Sequence, residues 1–286
     1  MHEVPQQPAS SRRSGRTGRT ATLAILMLFG AVAVATAHDM FVKPERFRVA
    51  ENADVLVRLL NGTFSKSENS ITRDRILDIS FVSPTGRARL DTASWTTAGD
   101  TSTIRVRTGA AGTYVIGVST RPRAFELAAK DFNLYLREDG IPDVLAARRK
   151  DGEMEKSARE RYGKHVKALL QVGTATSDAY ATELGYPAEI VPLANPYTLR
   201  PGARLRVRTL VDGKPVANQF VLFGGRTPAG GRIPQRSVRT NAEGVAAIPL
   251  ARSGTWYVKF IHMARLEGDS EADYESKWAT LTFEVR

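Results

Sequence analysis

The chain contains no cysteine. That single absence excludes disulfides, zinc ribbons, iron–sulfur clusters and thiol catalysis. Histidine is also scarce, with four in 286 residues: His2, His38, His165 and His262. No HxxxH or HExxH pair occurs, so the metal-binding helix of a zinc hydrolase is missing. GxSxG is absent, which removes the nucleophile elbow of a serine hydrolase. The glycine-rich GGRTPAGGR (224–232) holds neither a Walker lysine nor a dinucleotide fingerprint, and reads as a hairpin loop. Nothing here points to an enzyme.

What is present is ordinary globular composition. Hydrophobic residues make up 42% and charged residues 25%, which excludes wholesale disorder and, at this length, predicts one to two domains. The formal charge is +11. Part of it sits in the first 37 residues, which hold Arg12, Arg13, Arg16 and Arg19 against Glu3. The apolar run Ala21–Ala35 follows, and Ala35 and Ala37 supply small residues for cleavage. This is the pattern of a secretory signal peptide over 1–37, with the apolar run shorter than the roughly 20 residues of a spanning helix. A retained anchor is the alternative, and the Arg12–Arg13 pair lacks the apolar residue expected behind a twin-arginine signal. No later segment is long and apolar enough to span. The expectation is an exported, periplasmic protein with 37 basic and 29 acidic residues after the leader. With no helix-turn-helix, ribonucleoprotein motif or basic arm, nucleic acid is not an expected partner.

The rest of the chain alternates. Asp54–Leu60, Arg75–Val82, Thr103–Thr108 and Thr113–Ser119 read as strands, bounded by Gly, Pro, Asn or Ser. Phe125–Leu136 and Glu153–Leu170 have apolar spacing near 3.6 and predict two helices. Strands resume at Arg204–Val211, Gln219–Gly224, Gly244–Leu250, Trp256–Met263 and Lys277–Val285. Four prolines in YPAEIVPLANPYTLRPG mark a boundary near 187–201. The expected fold is mainly β: tandem Ig-like or transthyretin-like antiparallel sandwiches over 38–190 and 191–286. The first carries a helical insert at about 123–172.

Cleavage after Ala37 would make His38 the first residue. Its free α-amine and ring Nδ1 then close a chelate on one metal ion, a nitrogen set that suits copper, nickel, cobalt or zinc. Met40, two residues on, offers a thioether in an extended chain, against a plain core role. His262 shares the face of its strand with Phe260 and Val258. It is either a buried, hydrogen-bonded histidine or the third nitrogen of a brace with His38. His165 borders the apolar stripe of its expected helix, where a flanking role is favoured. The five acids of EGDSEADYE (267–275) do not follow the EF-hand pattern and read as a solvated loop.

Several segments in order carry a resemblance: AHDMF, LLNGTFSKSENSI, GTYVIGVSTRPRAFEL, DGIPDVLAARR, ERYGKHVKALLQVG, YPAEIVPLANPY, VDGKPVANQ and WYVKFIHM…DYESKWATLTFE. Together they resemble a bacterial periplasmic family of unknown function, sometimes labelled a nickel uptake transporter family protein. The resemblance runs from His38 to the C-terminus. It implies a secreted, β-rich, non-catalytic protein that binds or passes on a transition metal. The family begins with His, an acid, one position and often Trp; His38 and Asp39 match, and Phe41 keeps an aromatic without the indole N–H. Ile261–Met263 resembles the family's closing hairpin and keeps His262. The resulting expectation is an accessory of nickel, cobalt or copper uptake or homeostasis, with one transition-metal ion and no organic cofactor. His38 and His262 would be ligands, and Asp39 a ligand or an orienting group. A partner would be an inner-membrane permease or an outer-membrane receptor. The alternatives are an Ig-like adhesion module without metal, and a copper oxidase of histidine-brace type. The oxidase needs a flat aromatic surface, for which Trp95, Trp256 and Trp278 are dispersed.

Overall fold

Alternation of apolar and charged residues builds the strands of this protein. In RLRVRTLV, Leu205 and Val207 are buried while Arg204 and Arg206 stay in solvent. The structure is a computed structural model that describes residues 38–286, so the leader expected over 1–37 lies outside the described residues. In chain order the first strands are β1 (Asp39–Pro44), β2 (Arg48–Val49), β3 (Asp54–Gly62), β4 (Ile76–Ser83) and β5 (Gly86–Arg89). β6 (Trp95–Ala98), β7 (Thr101–Arg107), β8 (Gly112–Thr120) and β9 (Arg123–Leu127) lead to helices α1 (Ala129–Glu138) and α2 (Pro142–Lys150). There follow β10 (Ala158–Val172), β11 (Ala188–Pro192), β12 (Arg204–Val211), β13 (Lys214–Pro215) and β14 (Phe220–Arg226). The chain closes with β15 (Arg232–Arg239), β16 (Val245–Pro249), β17 (Gly254–Arg265) and β18 (Tyr274–Val285).

The fold is mainly β and sandwich-like, as expected. The strands of the described residues form three sheets. The largest runs β15-β14-β17-β18-β10-β8-β4-β5, with β2 and β9 also paired to β10. A second runs β1-β3-β7-β6, and a third joins β11, β12, β13 and β16. The large sheet is shared by two cores on opposite faces. Val166, Ala168, Leu170 and Val172 of β10 pack with Met40, Val42, Val57 and Leu59 of the second sheet. Leu169, pointing the other way, packs with Ile190, Val207 and Ile248 of the third. Burial on both faces leaves no solvent side for β10 to mark with polar residues.

The expected all-antiparallel pairing needs correction at the centre. β10 runs parallel to β18 from Glu160↔Tyr274 to Ala168↔Thr282. This ladder joins strands from either side of the expected boundary, and the large sheet therefore crosses it. The proline-rich stretch read as a linker contains β11, whose five residues are all buried. The helical insert is shorter than expected, since Ala158–Val172 is strand rather than helix. Met154, Ala158, Tyr162, Val166 and Leu169 mimic a helical stripe only because His165, Lys167 and Gln171 interrupt the apolar pattern. Those three polar residues are themselves buried. The first helix is legible in outline: Phe132, Tyr135 and Leu136 share its buried side, and Phe125 belongs instead to β9. Gly140, at φ +79°, makes the turn into α2, and a Cβ there would meet Leu222 at 2.8 Å.

Buried charge in β10 is paired. Lys167 Nζ donates to Glu189 Oε2 at 2.8 Å, and both side chains are almost wholly buried. Burial pulls the Lys167 ammonium below its ordinary value, against the Glu189 charge. The same carboxylate accepts from the backbone N–H groups of Leu184 and Tyr186, each at 2.9 Å. It thereby holds the loop between β10 and β11 onto the sheet. Glu189→Ala strips a buried ammonium and two backbone donors of their acceptor, and should cost about 3–5 kcal/mol in urea unfolding. Lys167→Met should cost less, because the carboxylate retains its two backbone donors.

Candidate functional site

His38 is placed by the strand that follows it. β1 lies across the central ladder, and the carbonyls of Met40 and Val42 accept from the hydroxyls of Thr280 (2.9 Å) and Thr282 (2.5 Å). The His38 side chain is 19% exposed, and its Nε2 lies 2.7 Å from Glu68 Oε2. A carboxylate only accepts, so Nε2 carries the proton of this bond. Asn69 Nδ2 lies 3.5 Å from the same nitrogen. Glu68 is held in turn by its backbone N–H, which donates to Asn61 O at 3.0 Å.

Asp39 points to the other side of β1, into a buried cluster of two acids and two lysines. Lys259 of β17 donates to Asp39 Oδ2 and, at 3.3 Å, to Asp139 Oδ1 at the end of α1. Burial works to lower Lys259, but the two carboxylates outweigh it and hold the ammonium above its ordinary value. Burial pushes Asp139 up, against the pull of Lys259. Lys164 of β10 donates to the His38 carbonyl and to Asn61 Oδ1. Burial pulls Lys164 down to about 8, with Asp39 and Asp139 working against it. Asp39 is therefore bound by an ammonium and braces the start of β1. Its other oxygen, Oδ1, is buried with no hydrogen-bond partner among the described residues.

The structure does not bring His262 to His38. Lys259, which reaches Asp39, and His262 differ by three positions on a regularly paired strand, so they project from opposite faces. His262 shares its face with Phe260 and Val258, and its Nδ1 meets Gln219 Oε1 at 3.0 Å. Burial, then the charge of Lys277, lowers its pKa. His262 is thus half-buried and hydrogen-bonded. Met40 is in the core beside Val42, away from any ligand role. Phe41 packs against Phe64 and Tyr257, with ring centroids 5.3 Å from each. His165 is not on a helix flank but buried in β10, with Nδ1 2.8 Å from Ser119 Oγ; burial lowers it to about 4. The acidic loop 266–273 lies between β17 and β18 as expected, with Asp269 and Asp273 paired to Arg161 and Arg159. Among the described residues no three His, Asp or Glu side chains are grouped to hold a metal ion.

A cleft of about 410 Å³ opens beside His38. Arg75, Arg123 and Lys164 line it together with Phe125, Tyr162 and Trp278, and no carboxylate is among its lining residues. The Arg75 guanidinium lies 5.4 Å from the Tyr162 ring centroid, and Lys164 Nζ lies 5.1 Å from that of Trp278. Glu68, Arg75, Lys164 and Lys259 were not among the expected site residues. Lys259 had a usable signal, being the one charge within the apolar run WYVKFI. Lys164 had none while its segment read as a helix.

Behind Trp278 lies a buried acid. Tyr135 stacks on Trp278 at 5.9 Å and donates to Glu160 Oε1 at 3.1 Å; Ser276 donates to the same oxygen. Glu160 Oε2 is buried with no hydrogen-bond partner among the described residues. Burial pushes the Glu160 carboxyl up to about 7, although Ser276 and Tyr135 pull it down. An acid raised on folding weakens the fold above its unfolded pKa, so this cost grows from about pH 4.5 to 7 and is complete above that. His165 has the opposite trend, losing stability as pH falls below 6.5. Glu160→Gln removes only the first effect. The variant should be more stable than the parent at pH 8, by on the order of 3 kcal/mol. That gain should vanish near pH 4.5, as read by urea unfolding at both pH values.

No curated protein matches the chain by sequence. Among solved structures, the BSP domain of a biofilm associated protein is similar at 8% identity and a TM-score of 0.18. That match covers 85% of this chain, which spans 29% of the other. Residues 35–264 match the family described as "Domain of unknown function (DUF4198)". With most of its length inside that match, the chain belongs to this family of unknown function.

Proposed function

We propose that this protein is exported, loses its leader before His38, and binds one transition-metal ion through the amine and ring of that residue. The carrying observation is the 2.7 Å contact between His38 Nε2 and Glu68. With the proton of that bond on Nε2, the ring lone pair belongs to Nδ1, the nitrogen that closes a chelate with the α-amine. A carboxylate behind a ligating imidazole also raises its basicity and fixes its orientation, the usual support for a metal-bound histidine. Nickel, copper and cobalt all suit such nitrogen donors. Asp39 contributes by position: held by Lys259, it fixes the first residue of β1 and with it the backbone at His38. His262, on the other face of β17, is left out of this site. The basic leader followed by a short apolar run supports a periplasmic location. The absence of catalytic motifs supports an accessory role in metal uptake or homeostasis, with a membrane permease or outer-membrane receptor as the partner. The family resemblance carries the nickel reading.

Calorimetric titration with copper and then nickel tests this directly, using the chain that begins at His38 beside one with an added N-terminal Ala. The expected result is one-to-one binding that the added residue weakens at least a hundredfold, because the amine moves out of the chelate. Glu68→Gln should weaken it about 10–100-fold. Equal binding by the two chains, or none by either, overturns the reading.

A further inference from the structure

The cleft beside His38 is lined by cations and by no carboxylate. Arg75 is 7% exposed, forms no ion pair among the described residues, and has its Nη1 buried with no hydrogen-bond partner. A buried guanidinium nitrogen that finds no acceptor costs stability, so such an atom in a cleft wall marks where an acceptor fits. Lys164 is 6% exposed and adds a second buried charge; its two bonds go to a carbonyl and an amide oxygen, neither of them anionic. Arg123 stands at the exposed side of the same cleft. Beside these charges the lining is aromatic, with Phe125 and with Tyr162 and Trp278, against whose rings Arg75 and Lys164 lie. The volume of about 410 Å³ is in the range of small-molecule sites.

We propose that this cleft binds a small organic carboxylate with an aromatic body. The guanidinium of Arg75 offers a planar fork that matches a carboxylate with two parallel N–H···O bonds, and Lys164 adds a point charge alongside. The ring of the ligand lies against Tyr162 and Phe125, in the offset or edge arrangements that aromatic pairs adopt. Inorganic phosphate would satisfy the charges but leave the aromatic wall uncovered. Acetate would satisfy the fork alone. The site requires no metal.

Titration of the protein with benzoate, acetate and inorganic phosphate, in the presence of a chelator, separates these sources. The readout is tryptophan fluorescence, since Trp278 lines the cleft, with calorimetry alongside. Benzoate should bind at least about tenfold more tightly than acetate or phosphate. Arg75→Met should weaken benzoate by about tenfold or more, and Arg75→Lys, which keeps the charge but loses the fork, by less. Without ligand, Arg75→Met should melt no lower than the parent, because the charge it removes is buried and forms no ion pair among the described residues, and the methionine keeps the apolar contact with Tyr162. That melting curve also establishes that the variant folds. No binding of benzoate by the parent up to ~10 mM overturns the proposal whatever the variants do. Phosphate binding as tight as benzoate, or benzoate binding unchanged in folded Arg75→Met, overturns it equally. The chelator keeps these outcomes separate from the fate of the metal reading.

Discussion

The parallel ladder between β10 and β18 is the constraint on which the rest of the structure depends. Nine consecutive positions of β10 pair with β18; β10 carries side chains into both cores, while β18 packs Leu281 and Phe283 into one and sets the hydroxyls of Thr280 and Thr282 against β1 on its other face. A parallel pair cannot be closed by a tight turn and needs a long connection. Here that connection is the whole of residues 173–273, including the third sheet and β14 to β17. The last strand must therefore come home before the central sheet is complete. Nothing in the N-terminal half can finish the second sandwich alone, and β17 has no inner neighbour until β18 arrives.

Burial on two faces raises a problem for the charges that β10 carries, and each is answered differently. Lys167 meets a carboxylate that also holds two backbone amides. His165 is kept neutral by burial and bonded to a serine hydroxyl. Lys164 has neutral oxygens for its direct partners, with two acids close behind. Glu160 keeps one buried oxygen without a partner. The cleft sits where this compensation is least complete. A polar strand through an apolar core is expensive unless every charge has a partner. The unpartnered ones mark where the fold leaves room for something else.

The same geometry orders the first strand. β1 is stitched to β18 by two threonine hydroxyls and to β17 through the Asp39–Lys259 pair. His38 consequently occupies a defined place at the mouth of the cleft. The two proposed binding features, the terminal chelate and the carboxylate cleft, are neighbours because both are built on β1 and β10. Lys164 touches both, through the His38 carbonyl on one side and the cleft wall on the other.

Most strands were legible from alternation, because Arg204–Val211, Asp54–Leu60 and their like present one face to water and one to a core. The sequence alone also determined that no thiol chemistry is available and that His38 is followed by an acid. Tertiary structure decided the rest. β10 could not be read, since a strand with two dry faces has no polar side, and its internally neutralised charges imitate a helical stripe. β11 was hidden by the prolines around it, which its short, edge-placed pairing tolerates. The separation of His262 from His38 depends on which face of β17 meets β1, a matter of packing that periodicity along one strand does not contain. Arg75 and Lys164 meet in the cleft, and Glu68 meets His38 beside it, from separate segments. Their meeting is set by the long-range pairing of β10 and by the loop after β3, and local sequence carries no record of either.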